Sequence, residues 1–347
     1  MQFLSLVSTK QGRDDRDVSI ETLPSESACS RRISAESSDP RIIVLMGAAV
    51  IALSGPFVKL AAVSPATATF YRCALALPVL GALMYRELRT IGRLSAQEIG
   101  IQLIGGVMLG IDFALWSYSI QLIGAGIASV VVNIQVVIVP MLTWVAFGTR
   151  VPIRFVIAVP VLLGGIALSS GAFVEAGGDS VIAGTALALS AGVAYAIYLF
   201  ATGRAGNPGR PASKVFVSTI AAGVAGSAVG SIWGAVDLTP GWISMGSLIA
   251  LASSAQVVGW ILIANGLPKV PAEIGATLLL MQPVIALLAS MALLHERPGI
   301  TQLIGCAVVI CAVWVVSVGP GRGRGVGVIF GKRSAVRGDG PGPTQSR

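Results

Sequence analysis

The sequence predicts an all-α membrane protein, with ten transmembrane helices arranged as two inverted five-helix repeats. Three observations lead there. Ten stretches of about twenty apolar residues lie between Arg41 and Gly319, and about twenty residues rising 1.5 Å each cross a bilayer core of about 30 Å. The chain of 347 residues is 54% hydrophobic and only 12% charged, with mean hydropathy +0.82, far from the mixed surface of a soluble domain. Similar residues also recur in the two halves at a constant offset of 147 positions.

Residues 1–40 mix Ser, Asp, Glu and Arg without an apolar period, so they read as a disordered tail and not as a secretory signal. The spans then fall at 42–62, 66–85, 99–121, 125–147, 153–172, 181–201, 214–235, 242–265, 273–294 and 299–318, joined by short connections. Residues 320–347 are a Gly, Pro and Arg mixture and read as a second disordered tail. The alternating Gly321, Gly323, Gly325 and Gly327 follow a helix end and not a strand, which argues against a nucleotide-binding turn. Half of the 24 basic residues sit in or beside these tails, so the net charge of +8 does not describe a nucleic-acid surface. The expected surroundings are lipid bilayer and no nucleic acid.

Orientation follows from the loops. Arg86, Arg89, Arg93, Arg150, Arg154, Arg204, Arg210, Lys214 and Lys269 fall in alternate connections that share a side with the tails, whereas Glu175, Asp179 and Asp237 lie opposite. The positive-inside rule makes both termini cytoplasmic in a multi-pass plasma-membrane protein. Trp233 and Trp242 bracket an outer loop, where interfacial aromatics belong. Reporter fusions at the C-terminal tail and at Asp237 are expected to report opposite sides of the membrane; finding both on one side rules out ten crossings.

Aligning Gln135 with Gln282 brings Ala128-Ser129 over Gly275-Ala276, Val137-Ile138 over Val284-Ile285 and Arg150 over Arg297. A weaker echo relates Ile51-Ala52-Leu53-Ser54 to Leu187-Ala188-Leu189-Ser190. Five spans per repeat is an odd number, so the second repeat is inverted relative to the first. Carriers built this way hold substrate between the repeats near the bilayer midplane.

Gln282-Pro283 followed by Glu296, Arg297, Gln302 and Gly305 resembles the end of a repeat in the EamA family of the drug/metabolite transporter superfamily. Gly55-Pro56 with Lys59, Arg72, and Ala194-Tyr195-Ala196 add to the likeness, which covers about 42–319. The resemblance implies a first repeat at 41–172 and a second at 181–319. In the first repeat Thr149 stands where the second has Glu296, and the proline is at Pro140, not at the aligned Val136.

Bare charges deep in a span are costly, so Arg72 and Asp112 must face protein or water. Two readings stand for them: a buried pair that fixes helix register, or machinery in which Arg72 attracts an anionic group while Asp112 binds an amine or a proton. Gln135 and Gln282 are repeat mates near one central plane, suited to line a cavity or to bond between helices. Asn133, two residues from Gln135, points to nearly the opposite helix face and cannot share that cavity unless the helix is broken. Pro140 and Pro283 are the candidate helix breaks. Gln256 is a further polar candidate, with Trp116, Tyr195 and Trp260 as apolar or stacking walls. Lys59 is expected to snorkel to the headgroups, and Glu296 with Arg297 to form a solvated pair at a span end. Gly106 and Gly110, and Gly226, Gly230 and Gly234, have the four-residue spacing of closely packed helices.

The chain is therefore expected to be a secondary-active transporter that exports a small metabolite such as an amino acid, an amine or a drug-like compound by alternating access, with proton coupling a candidate driving force. No cofactor, catalytic residue or metal is called for: the cysteines, at 29, 73, 306 and 311, form no CxxC pair and His295 is the only histidine. The alternatives are a channel or lipid scramblase and, from another class, a membrane-embedded enzyme. No Walker A sequence supplies ATP as a direct driver.

Overall fold

A computed structural model of the chain describes residues 39–148, 153–169, 178–202, 210–266, 269–270, 278–279 and 281–318, within a compact unit of Asp39–Arg347. Residues 1–38 and 319–347, which hold most of the two expected tails, lie outside the described residues, as do Thr149, Arg150, Glu175 and Arg204. The described residues form helices and no strands. These are α1 (Pro40–Ala61), α2 (Pro65–Thr90), α3 (Ala96–Ile123), α4 (Ala125–Phe147), α5 (Ile153–Ser169), α6 (Gly178–Thr202), α7 (Pro211–Gly230), α8 (Trp242–Gly266), α9 (Met281–Leu293) and α10 (Ile300–Val318). Among the described residues, 7 helices are long and apolar enough to cross a membrane, namely α1 to α4 and α6 to α8. Shorter apolar stretches of 10–17 residues lie in α5, α9 and α10.

Two helices end away from their expected limits, each beside a contact with another segment of the chain. α7 stops at Gly230, short of residue 235, and the chain beyond it is held by the α1–α2 junction: Ser64 Oγ donates to Ala235 O at 2.9 Å, and Asp237 N donates to Thr67 Oγ1 at 2.9 Å. α2 runs on to Thr90, and its last turns have a partner, the Glu87 carboxylate receiving Ala212 N at 2.9 Å and Ser213 N at 2.8 Å. These are the first N–H groups of α7, which have no acceptor within their own helix. At this same end of the bundle Arg210 pairs with Glu98 at 3.4 Å and donates to the carbonyl of Arg93.

α7 packs closely on α2 on one side and on α3 on the other, and α3 meets α6 as extensively. A Cβ on Gly106 or Gly110 of α3 would overlap the backbone carbonyls of Ser218 and Ala222. One on Gly226 would lie 2.5 Å from Thr69 Cγ2 and 2.6 Å from Gly110 O, and one on Gly230 2.6 Å from Ala66 N. The four-residue glycine spacing thus lets three backbones meet almost without side chains between them. α5 and α10 use the same device at Gly165 and Gly305.

The helix contacts come in matched sets. α6 packs on α3 and α4, while α1 packs on α8 and α9; α2 meets α7, α4 meets α9 and α5 meets α10.

Three helices are interrupted part-way along their length. α1 breaks at Leu53, where Pro56 has no N–H to give to the Ala52 carbonyl. α4 narrows to a 3-10 turn at Val132–Ile134, and α8 widens to a π-helical stretch at Ala252–Gly259. The break in α4 precedes Pro140, which lies inside the helical run Gln135–Phe147, and Pro283 sits in the first turn of Met281–Leu293. Ala125–Val131 is buried throughout, whereas much of Gln135–Phe147 faces outward. Irregular backbone at membrane depth is tolerated where it is enclosed by protein or lines a polar cavity.

Candidate functional site

The interruptions in α1 and α4 border one cavity with about 80 Å³ of solvent-accessible space, room for several water molecules. α1 contributes Ile51, Ala52 and Ser54 from either side of its break, and α4 contributes Ser129, Val132, Asn133 and Gln135. Arg72 of α2, Asp112, Phe113 and Trp116 of α3, Tyr195 of α6, Trp260 of α8, and Gln282, Pro283 and Ala286 of α9 complete the wall.

Asn133 and Gln135 face the same space because the 3-10 turn turns the chain by about 120° per residue, so residues two apart no longer point in opposite directions. Nothing in the sequence marks that turn, since Val132, Asn133 and Ile134 include neither Gly nor Pro.

Arg72 is 4% exposed and is held by neighbours other than Asp112. Its Nε donates to Gln256 Oε1 at 2.9 Å, and Gln256 Nε2 donates to Thr219 Oγ1 at 3.0 Å. The guanidinium carbon lies 3.7 Å from the centroid of the Phe113 ring, a cation–π contact. Gln256 therefore stands behind Arg72 as its support, inside the π-helical stretch of α8, and does not line the cavity. Asp112 is 7% exposed on the same wall. No direct hydrogen bond or ion pair joins Arg72 to Asp112, and among the described residues the Arg72 terminal nitrogens and the Asp112 carboxylate have no hydrogen-bond partner in the protein.

The remaining wall is aromatic and amphipathic. Tyr195 and Tyr198 stack with centroids 6.0 Å apart, and Trp260 meets both edge-on, at 6.3 Å and 5.7 Å. Trp116 Nε1, Trp260 Nε1 and Gln135 Oε1 are buried with no partner among the described residues. A buried polar atom left unpaired costs about 1–3 kcal/mol, so a wall carrying three of them is suited to a polar guest. One cation and one carboxylate, not bonded to each other, flanked by indoles, can hold a small molecule with opposite charges or an amine with a proton-accepting neighbour.

Pro140 lies off the cavity wall. Lys59 does not snorkel: its Nζ donates to Ile120 O at 3.1 Å, a second bond on a carbonyl in the last turn of α3 that also accepts Gly124 N. Glu296 is likewise no solvated end of a pair. His295 takes a left-handed conformation, φ 54°, and turns Glu296 back, so that its carboxylate accepts Ala125 N at 2.8 Å and Gly126 N at 3.2 Å. Sequence reasoning missed this role, and that of Glu87, because both carboxylates serve helix ends far away in the chain.

Comparison with known proteins agrees with this architecture. The model of the EamA-like transporter family matches twice, at residues 41–171 and 182–318. Threonine/homoserine exporter RhtA of Escherichia coli (strain K12) is 31% identical over 210 residues, covering 60% of this chain and 67% of that protein. The RhtA proteins of E. coli O6:H1 (strain CFT073 / ATCC 700928 / UPEC) and O157:H7 match to the same extent, 31% over 210 residues. Among solved structures, one crystal structure superposes with a TM-score of 0.58 at 18% identity, covering 81% of this chain and 99% of that chain, a likeness of fold. Two family matches spanning nearly all of the helical region leave one assignment: this chain belongs to the EamA-like transporter family, a multi-pass membrane transporter and not an enzyme.

Proposed function

We propose that the protein exports a small zwitterionic or amine-bearing metabolite across the plasma membrane by alternating access around the cavity between α1, α4 and α8. The observation that carries this reading is the pair of buried, mutually unbonded charges at Arg72 and Asp112 on one cavity wall. Arg72 receives a carboxylate or other anionic group, and Asp112 an ammonium group or a driving proton. Trp116, Tyr195 and Trp260 form the apolar side, and Gln135 and Gln282 supply hydrogen bonds.

The matched contact sets support ten spans in two inverted repeats: the α3–α6 contact has its mate in α8–α1, and the α4–α6 contact its mate in α9–α1. With both termini on the cytoplasmic side, the breaks in α1, α4 and α8 lie near the midplane, where such repeats place their site.

Because the relative RhtA is named a threonine/homoserine exporter, these two hydroxylated amino acids head the list of substrates to test. Purified protein in liposomes preloaded with unlabelled threonine or homoserine, or with other amino acids and amines, is expected to take up the labelled compound by saturable counterflow. Non-saturating flux of many solutes would mark a channel instead. Absence of counterflow across the panel would exclude these substrates.

A further inference from the structure

The outer half of α4, Ala125–Val131, is tied at both of its ends. At the cavity, Asn133 Nδ2 donates to Ser129 O at 2.6 Å, and one turn further along Ser129 Oγ donates to Ala125 O at 2.7 Å. Ala125 N then donates to Glu296 Oε1, with Gly126 N on Oε2. A hydrogen-bonded line therefore runs from two cavity residues, along one face of the half-helix, to a carboxylate in the α9–α10 turn.

The helix's own N-cap offers no substitute for Glu296. Gly124, the residue before the helix, has φ 84° and no side chain to cap it. Gly124 and Gly126 also make the room: a Cβ on the first would lie 3.0 Å from Glu296 Oε1, and one on the second 2.9 Å from Leu287 Cδ1. A carboxylate meeting two free N–H groups at a helix start gains charge-assisted hydrogen bonds and the favourable end of the helix dipole. The 3-10 turn separates the half-helix from the rest of α4.

We propose that Glu296 is the latch of a gate formed by Ala125–Val131, a positioning residue that holds the cavity closed toward its own end of the bundle and senses the cavity through Ser129 and Asn133. The inference rests on the carrier reading, in which the cavity must open to one face at a time. Substrate contact with Asn133 or its neighbours strains the same line of bonds that ends on Glu296. Glu87 holds the start of α7 in the same way at the opposite end, so each end of the bundle has its own carboxylate closure.

The test reads accessibility and needs no substrate. Ser54, on the cavity wall, becomes the sole thiol as Ser54→Cys in a chain whose Cys29, Cys73, Cys306 and Cys311 are replaced by Ala. A membrane-impermeant maleimide is added to each face of sealed vesicles, and Asp237→Cys, near the α1–α2 junction at the same end as Glu296, identifies that face. Glu296→Ala is expected to raise labelling from the Glu296 face about tenfold, the effect of shifting the open population by one decade. Labelling from the opposite face should not rise. Glu296→Gln, which keeps one carbonyl acceptor but loses the charge, should give an intermediate rise of about threefold, and it decides the matter alone if Glu296→Ala is not recovered folded. Unchanged labelling in either folded variant overturns the latch. An equal rise from both faces overturns it too, because that is loosened packing. The result stands whether or not any metabolite shows counterflow.

Discussion

Asp112→Asn is expected to fold with an unchanged melting temperature, to retain exchange of substrate across liposome membranes, and to lose uphill transport driven by a proton gradient by at least about tenfold. The reason is the absence of any bond between Asp112 and Arg72. A carboxylate that held Arg72 in place would leave a buried, uncompensated cation when neutralised, at a cost of about 3–5 kcal/mol. Here the guanidinium keeps its hydrogen bond to Gln256 and its cation–π contact with Phe113, and it lines a cavity with room for water, so the amide should be tolerated. Arg72→Gln differs in both respects. It strands Gln256 Oε1 in a site that is 1% exposed, which should lower stability by about 1–3 kcal/mol, and it removes the cavity's anion-binding group. If the two residues were a structural pair, the double variant would recover what Asp112→Asn loses; no such recovery is expected. A well-folded Asp112→Asn protein with full proton-driven accumulation would remove Asp112 from coupling.

Gly110→Val should be nearly as damaging, to folding and not to coupling. Its Cβ alone would collide with the Ala222 carbonyl and come within 2.7 Å of Gly226 N, so α3 and α7 must separate. Overpacking typically costs about 1–3 kcal/mol, and backbone against backbone leaves no flexible side chain to yield, so the cost should sit at or above the top of that range. Gly100→Ala, on the same helix but with nothing within 4 Å, is the control and should be neutral or slightly stabilising. Thermal unfolding of both variants in detergent separates the cases; equal melting temperatures would refute the close seam.

Much of this architecture was legible in the sequence because a bilayer imposes simple rules. Length and hydropathy mark where helices run, and the cost of buried charge singles out Arg72 and Asp112, which the structure places on one wall with Trp116, Gln135, Tyr195, Trp260 and Gln282. Features set by backbone geometry were not legible. The 3-10 turn at Val132–Ile134 contains neither Gly nor Pro, so nothing local announces it, yet it decides that Asn133 joins Gln135. Pro140 drew attention to α4, but the interruption falls ahead of it. The π-helical stretch in α8 rotates Gln256 behind Arg72, a shift that no periodicity argument made on a regular helix can anticipate. Glu87 and Glu296 look like ordinary polar residues at span ends until the helix starts that they serve, at Ala212 and Ala125, are brought beside them.

The glycine seam also bears on how the chain is made. α2 and α3 touch each other far less than each touches α7, so α7 acts as a wedge between two helices synthesised long before it. When the first half leaves the ribosome its small-residue faces have only lipid against them. The amino-terminal half should therefore wait, inserted but unassembled, and a fragment ending at residue 172 should be a target for membrane quality control. Expressing residues 178–347 from a second gene in the same cell would supply the missing wedge, and rescue of the fragment from degradation would be the sign that assembly is completed after translation.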